Sequence, residues 1–418
     1  MVKRYLTLIL VLILSVNLIV PSVSSEINMK DASNIDEDNS FNDALFDKYM
    51  TFMMKMGHMP SMSVCAIKDD KVVFSNAYGY SDLENKKEAT EETIYIAHSV
   101  SKTVAATALM QLYDMGLFGL DEDINNHLNF SVRNPNHPNK NITFRMLLSH
   151  QSSLTDFVCH KIPGDLDMPD YPYPFLKEYL VPGGNQYSPK VWSDNSPGEA
   201  YEYSNIGYGL IGYLIERISG KSLNEFCKEN IFIPLEMYNT SFRLSDLNVN
   251  NVAVPYMYCP VVYQKNNYNR EMQYGCLPYA AGNLRTTTTD FSHFLIAHMN
   301  SGVWNGVRIL ENSTVEMMHN VQYPDSFQGK NSLPYCLGFF VKTTKRGDER
   351  IGHTGFFTAK IYMNHEENTG IIIFANSVAW PISTAWWPSV GRSILTNYVM
   401  DISKDIVENS LFWRANHI

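Results

Sequence analysis

The chain has 418 residues, 45% of them hydrophobic and 18% charged, with a formal net charge of -10. That apolar content excludes a wholly disordered chain and fills the core of one large two-lobed domain or of two ordinary ones. Lys and Arg are scattered, so no basic stripe is available to neutralise phosphates or attract anionic lipid; neither a nucleic acid nor a stable membrane partner is expected, and no oligomeric state is indicated.

Lys3 and Arg4 precede an apolar run from Tyr5 to Val20, then Pro21 and the small residues Ser22 to Ser25. Residues 1–25 therefore read as a secretory signal peptide, cleaved near Ser24 or Ser25. The chain would then be secreted, outside the cell or into a vesicle lumen. An uncleaved membrane anchor is the alternative, because the run approaches the lower length limit for crossing a bilayer. Four sequons, starting at Asn129, Asn141, Asn239 and Asn312, suit a glycosylating secretory route. Six cysteines would permit three disulfides there, or stay as buried thiols. Residues 26–40 are acidic and polar and read as a flexible leader, leaving 41–418 as the folded domain.

From Phe41 the apolar positions recur at helical spacing up to Gly57, with a methionine stripe that reads as core packing. Met62 to Ile67 and Val72 to Tyr78, joined at Asp69 and Asp70, predict a β-hairpin. Helices are predicted from Ser99 to Met115, stopped by Gly116, and from Ile206 to Ile218, stopped by Gly220. Ser222 and Glu225 spell a capping box for another helix. Thr289 is the expected N-cap of a helix over about Asp290 to Asn300, with Gly302 beyond its end. Lys360 to Met363 and Gly370 to Ala375 read as strands, the second almost wholly apolar and therefore central. The predicted fold is α/β (α+β): an antiparallel sheet built from the N- and C-terminal segments and flanked by helices, with an all-helical lobe inserted at roughly 120–280.

The chemistry concentrates in three short segments. In Ser99-Val100-Ser101-Lys102, residues three apart share a helical face, so Ser99 Oγ and Lys102 Nζ meet while Ser101 points elsewhere. A serine hydroxyl becomes a competent nucleophile when a neighbouring base takes its proton, and a desolvated lysine serves as that base. Tyr203-Ser204-Asn205 lies between Pro197-Gly198 and a glycine-rich amphipathic helix, and His353-Thr354-Gly355 follows in the C-terminal strands.

The segment Ile96-Ala97-His98-Ser99-Val100-Ser101-Lys102-Thr103 resembles the nucleophile motif of class C β-lactamases, DD-peptidases and family VIII carboxylesterases. Tyr203-Ser204-Asn205 resembles the Y-x-N element of that serine β-lactamase and penicillin-binding-protein superfamily, and His353-Thr354-Gly355 its third element, K-T-G or H-x-G. Leu147 to Leu154, Pro234-Leu235-Glu236-Met237 and Ala281-Gly282-Asn283-Leu284 are similar to its L-L-T-H-T-S-G-L, P-L-G-M and A-G-G-L segments. Glycine is replaced at Ser153, Glu236 and Asn283. The resemblance covers about residues 45 to 400. It implies that Tyr203 relays protons, that Asn205 holds the substrate and Lys102, that a cationic or hydrogen-bonding side chain at His353 orients a substrate carboxylate or assists proton transfer, that Gly355 lets the backbone approach the acyl group, and that the N–H groups of Ser99 and Phe356 form an oxyanion hole. The aromatic pair Phe356-Phe357 would narrow the cleft and exclude bulky β-lactam side chains.

Ser193-Asp194-Asn195 and Lys342-Thr343-Thr344 imitate other superfamily motifs but sit beside better-placed ones. No G-x-S-x-G, H-E-x-x-H, P-loop or G-x-G-x-x-G occurs, so no metal or organic cofactor is expected. The sequence therefore reads as a secreted serine hydrolase that forms an acyl-enzyme on Ser99 with ester or amide bonds, D-amino-acid peptides included. Its partner is a small-molecule or peptide substrate. A β-lactamase proper is ranked lower, because H-T-G replaces K-T-G, and a non-catalytic binding member of the family is the reading from a different class.

Overall fold

The computed structural model describes residues 58–155, 161–162, 173–258, 268–270, 273, 275–276, 278–326, 334–343, 347–356 and 359–379, with Asp47, Met50, Thr51 and Met54. All lie within Asp43–Val407. The signal and leader readings for residues 1–40, and the positions of Cys159, Cys259 and Phe357, fall outside the described residues.

Strands β1 (Ser61–Lys68) and β2 (Lys71–Asp82) form the expected hairpin, with Lys68 opposite Lys71. The two residues between them, Asp69 and Asp70, both take positive φ, 49° and 60°. Such a mirror-image turn matches the right-handed twist of the strands, and aspartate visits this region more readily than most side chains. β3 (Lys87–Glu88) adds to β2. The C-terminal part supplies β4 (Phe340–Thr343), β5 (Glu349–Gly355), β6 (Ala359–Asn364) and β7 (Thr369–Ala375). The sheet order is β4-β5-β6-β7-β1-β2-β3. The near-continuous apolar run Ile371 to Phe374 is thus central, paired antiparallel to β6 and β1, and the sheet is assembled from both ends of the folded region.

Between those ends run α1 (Ser101–Asp114), α2 (Phe144–Leu148), α3 (Tyr173–Leu180), α4 (Asn205–Ser219), α5 (Leu223–Cys227), α6 (Thr288–Met299) and α7 (Asn312–His319). Short strand pairs also occur within roughly 120–280, Lys161–Ile162 with Gly275–Cys276 and Tyr256–Tyr258 with Tyr268–Arg270, so that lobe is mainly rather than wholly helical. Helix ends follow local chemistry. Ser204 Oγ accepts the Gly207 N–H at the start of α4, and Gly220 closes it in the left-handed region at φ 73°. Ser222 and Glu225 form the full capping box of α5. At α6 the expected cap shifts by two residues: Thr287 Oγ1, not that of Thr289, accepts the Asp290 N–H. Asp290 decides this, because its buried Oδ2 also accepts the Asn239 N–H and the Thr240 hydroxyl.

α6 packs on one face of the sheet, where Phe291 meets Phe374 edge to face at 5.6 Å. On the opposite face Asp47 accepts the Tyr78 hydroxyl, and Met50 and Met54 are buried, in keeping with the packing role expected of the methionine stripe. Deep in the core a string of hydrogen bonds links four elements. Thr107 of α1 donates to the Thr103 carbonyl, so its oxygen accepts from His298 Nε2 at 2.9 Å. His298 Nδ1 then accepts from His319 Nε2 at 3.2 Å, and His319 Nδ1 from His365 Nε2 at 2.9 Å. One tautomer of each ring satisfies the string, and all three rings are neutral: burial holds His298 down to about 3 and His319 well below the usual range.

Cys65, Cys227 and Cys336 are buried free thiols, which rules out a three-disulfide framework. Burial pushes Cys65 and Cys336 up to about 12, and Cys227 upward as well. Among the described residues no helix is long and apolar enough to cross a membrane.

Candidate active site

Ser99 does not lie in α1 itself. It occupies a 3-10 turn, His98–Val100, entered through His98 at φ 49°. A non-glycine residue rarely adopts that conformation, and such outliers concentrate where a side chain must be aimed. The next turn of helix places Lys102, fully buried, with Nζ 3.1 Å from Ser99 Oγ. Ser101 faces away, as expected: its hydroxyl donates to the His98 carbonyl and accepts the Leu284 N–H.

Lys102 Nζ also reaches Asn205 Oδ1 at 2.8 Å and the Ala281 carbonyl at 2.7 Å. Two of these three contacts are acceptors only, whereas the Ser99 hydroxyl can donate. Lys102 Nζ donates to all three oxygens in this arrangement, and if it gives up a proton it can keep Asn205 Oδ1 and the Ala281 carbonyl while its lone pair takes the serine proton. Asn205 opens α4, so the cap at Ser204 fixes where its amide points. Ala281 belongs to the Ala281 to Leu284 segment, which is tied to the nucleophile turn by Ala97 N–H donating to the Leu284 carbonyl at 2.8 Å. Tyr203 is half-buried, its ring centroid 5.0 Å from Lys102 Nζ, with the Tyr208 ring at 5.5 Å.

Gly355 ends β5 against this turn. A Cβ there would stand 2.5 Å from the Ala97 carbonyl oxygen, 2.8 Å from His98 Cβ and 3.0 Å from the Ser99 nitrogen. Only glycine lets the strand come so close. Thr354 is half-buried, opposite Lys360 in the register. Phe356, 45% exposed, has its ring 5.8 Å from the His98 ring.

His353 needs correction. It is almost fully buried, its Nδ1–H donates to the Thr354 carbonyl at 2.9 Å, and its Nε2 accepts the Tyr335 hydroxyl at 2.7 Å. Burial, and then the nearby Lys102 charge, hold it down to about 3. Both nitrogens are engaged inside the protein and burial disfavours the charged form, so the structure favours the neutral ring over the cationic alternative. Sequence reasoning did not assign Tyr335, which carries no motif, nor give a role to His150, quoted only within Leu147 to Leu154. The imitation motifs are local: Ser193 Oγ accepts the Asn195 N–H within a turn, and Lys342 lies over the Tyr362 ring.

The family described as Beta-lactamase matches residues 43–390. The chain belongs to this family, within the serine β-lactamase and penicillin-binding-protein superfamily. Protein flp of Staphylococcus aureus is 25% identical over 339 residues, covering 79% of this chain and 62% of that one, so the chain spans less than two thirds of that relative's length. A D-amino acid amidase from Ochrobactrum anthropi SV3 superposes with a TM-score of 0.67 at 21% identity, over 87% of this chain and 99% of the amidase. The octameric penicillin-binding protein homologue of Pyrococcus abyssi gives 0.63 at 24% identity, over 85% of this chain and 78% of its own.

Proposed function

We propose that the chain is a serine hydrolase that forms an acyl-enzyme on Ser99 and cleaves ester or amide bonds, including those of D-amino-acid peptides. One observation carries this reading: the buried Lys102 amine stands 3.1 Å from Ser99 Oγ with its two N–H directions occupied by Asn205 Oδ1 and the Ala281 carbonyl. An unprotonated Lys102 that keeps those two contacts presents its lone pair to the serine hydroxyl. Lys102, assisted by Tyr203, deprotonates Ser99, which attacks the substrate carbonyl. The N–H groups of Ser99 and Phe356 receive the oxyanion. Tyr203 returns a proton to the leaving group and activates water for deacylation.

The neutral, enclosed His353 favours esters and amides over β-lactams, since no cation stands at that position for a β-lactam carboxylate. The amidase superposition adds weight to amide substrates. Secretion after removal of residues 1–25 remains part of the proposal, supported by the charge and apolar pattern of that segment. Hydrolysis of short p-nitrophenyl esters by wild type and Ser99→Ala tests the core of it. The variant should lose on the order of 10³-fold or more in kcat and resist a fluorophosphonate probe that labels the wild type. Retained turnover in Ser99→Ala would remove Ser99 as nucleophile. A wild type that neither turns over nor labels would favour the binding-member reading.

A further inference from the structure

The loop that leaves α2 reaches Tyr203 through a single residue. His150, at φ 58° and buried, touches three consecutive positions. Its carbonyl accepts the Glu202 N–H at 2.8 Å, its Nδ1 accepts the Ser204 N–H at 3.1 Å, and its imidazole lies against the Tyr203 ring at 4.4 Å with a 35° tilt. The backbone on either side of Tyr203 and the ring itself are thus held by one histidine. Tyr335, edge-on at 4.6 Å, and Tyr208, at 5.1 Å, pack against the imidazole.

Two features of His150 are unfavourable in themselves. Its backbone lies in the left-handed region, which glycine or asparagine occupies more easily. Its Nε2–H is buried with no hydrogen-bond partner among the described residues. An apolar residue at this position would avoid the buried, unpartnered N–H, though not the left-handed backbone. What the histidine gains is an acceptor for Ser204 and a flat face for Tyr203 at once, and no apolar side chain offers the two together.

We propose that His150 is a positioning residue for Tyr203, bracketing it from Glu202 to Ser204 so that the phenol ring stays beside Lys102. This rests on the reading of Tyr203 as the proton relay. The bracket requires an unprotonated Nδ1, which agrees with burial and the neighbouring Lys102 and His353 keeping the ring neutral.

The test compares His150→Phe, which keeps a ring and loses the acceptor, with His150→Asn, whose Oδ1 replaces Nδ1 and which tolerates the left-handed backbone. In His150→Phe, kcat for a p-nitrophenyl ester should fall about 10- to 100-fold with KM within about twofold. The Ser204 amide should exchange at least about tenfold faster, because its acceptor is gone. In His150→Asn both should return to within about fivefold of wild type. Placed on Tyr203→Phe, the His150→Phe change should cost little more, since the group it positions is already absent. Equal kcat losses with and without the Tyr203 hydroxyl, or unchanged Ser204 exchange, would overturn the proposal. Should His150→Phe not fold, failure of His150→Asn to preserve both kcat and Ser204 protection overturns it equally. A wild type that neither turns over nor labels defeats the hydrolase reading and the relay role together, while the exchange measurement decides separately whether the bracket exists.

Discussion

At Gly355 a single methyl group is enough to part β5 from the nucleophile turn, because the added carbon would overlap the Ala97 carbonyl at 2.5 Å. Gly355→Ala should therefore leave the fold intact and lower kcat on a p-nitrophenyl ester by about 10- to 100-fold, as a displaced oxyanion site implies. Wild-type kcat in that variant would show that β5 does not set the geometry around Ser99. Glu236 presents the reverse case. It replaces a glycine of the family pattern yet keeps φ at 54°, and it is exposed. Relief of about 1 kcal/mol or more of left-handed strain opposes roughly 0.4–1 kcal/mol of added freedom in the unfolded chain. Glu236→Gly should thus raise stability by about 0.5 kcal/mol, read as a higher urea midpoint. Ser153, at φ 62°, is a poorer choice, since its hydroxyl accepts from Asn134. At this scale the pairing of Ser99 with Lys102 was legible from spacing, because positions three apart on a helical turn meet, whereas Asn205 was reached only through the resemblance of Tyr203-Ser204-Asn205 to the Y-x-N element. The charge state of His353 was not legible. It depends on Tyr335, eighteen residues away on the facing strand side, and on enclosure that no local motif encodes.

Among the elements, the start of α6 separates two neighbouring threonines. Thr287 is buried and bonded to the Asp290 N–H, whereas Thr289 is partly exposed and its hydroxyl does not cap the helix. Thr287→Ala should cost about 1 kcal/mol of stability, and Thr289→Ala no more than about 0.5 kcal/mol. Equal losses in denaturant titrations would mean that the cap is not fixed. The run Thr286 to Thr289 offered four similar hydroxyls, so the sequence located the helix and misplaced its cap by two residues; the deciding contacts come from Asn239 and Thr240. The hairpin, α4 and α5 were readable because their turn, cap and stop residues are contiguous in the chain.

For the molecule as a whole, the buried histidines set the acid limit of the fold. His150, His298, His319 and His353 all have native pKa values below the usual 6.5, His298 and His353 at about 3. Above 6.5 both folded and unfolded chains leave them neutral, and they confer no pH dependence. Below 6.5 the unfolded chain binds protons that the native state refuses, so stability falls by about 1.4 kcal/mol per pH unit for each histidine. His298 and His353 together give roughly 3 kcal/mol per unit, a large share of an ordinary domain's stability, and His150 and His319 act in the same direction. Unfolding should thus set in within about two units below pH 6.5, and His298→Gln should reduce the slope. A thermal midpoint flat from pH 7.5 to pH 5 would refute this. The sheet assembled from both chain ends was legible from the apolar run in β7 and the polar turn of the hairpin. The three-histidine string was not, because its members lie in α6, α7 and the turn after β6, with no shared period.

The buried thiols give this protein its own stopwatch. Cys65 sits in the sheet, Cys227 in α5 and Cys336 just ahead of β4, each closed to solvent. An alkylating reagent added to the native protein can mark each site only during the intervals when that part of the chain is open. Peptide mapping at successive times would then yield three separate opening rates from one unmodified sample, showing whether the sheet or the helical insertion gives way first.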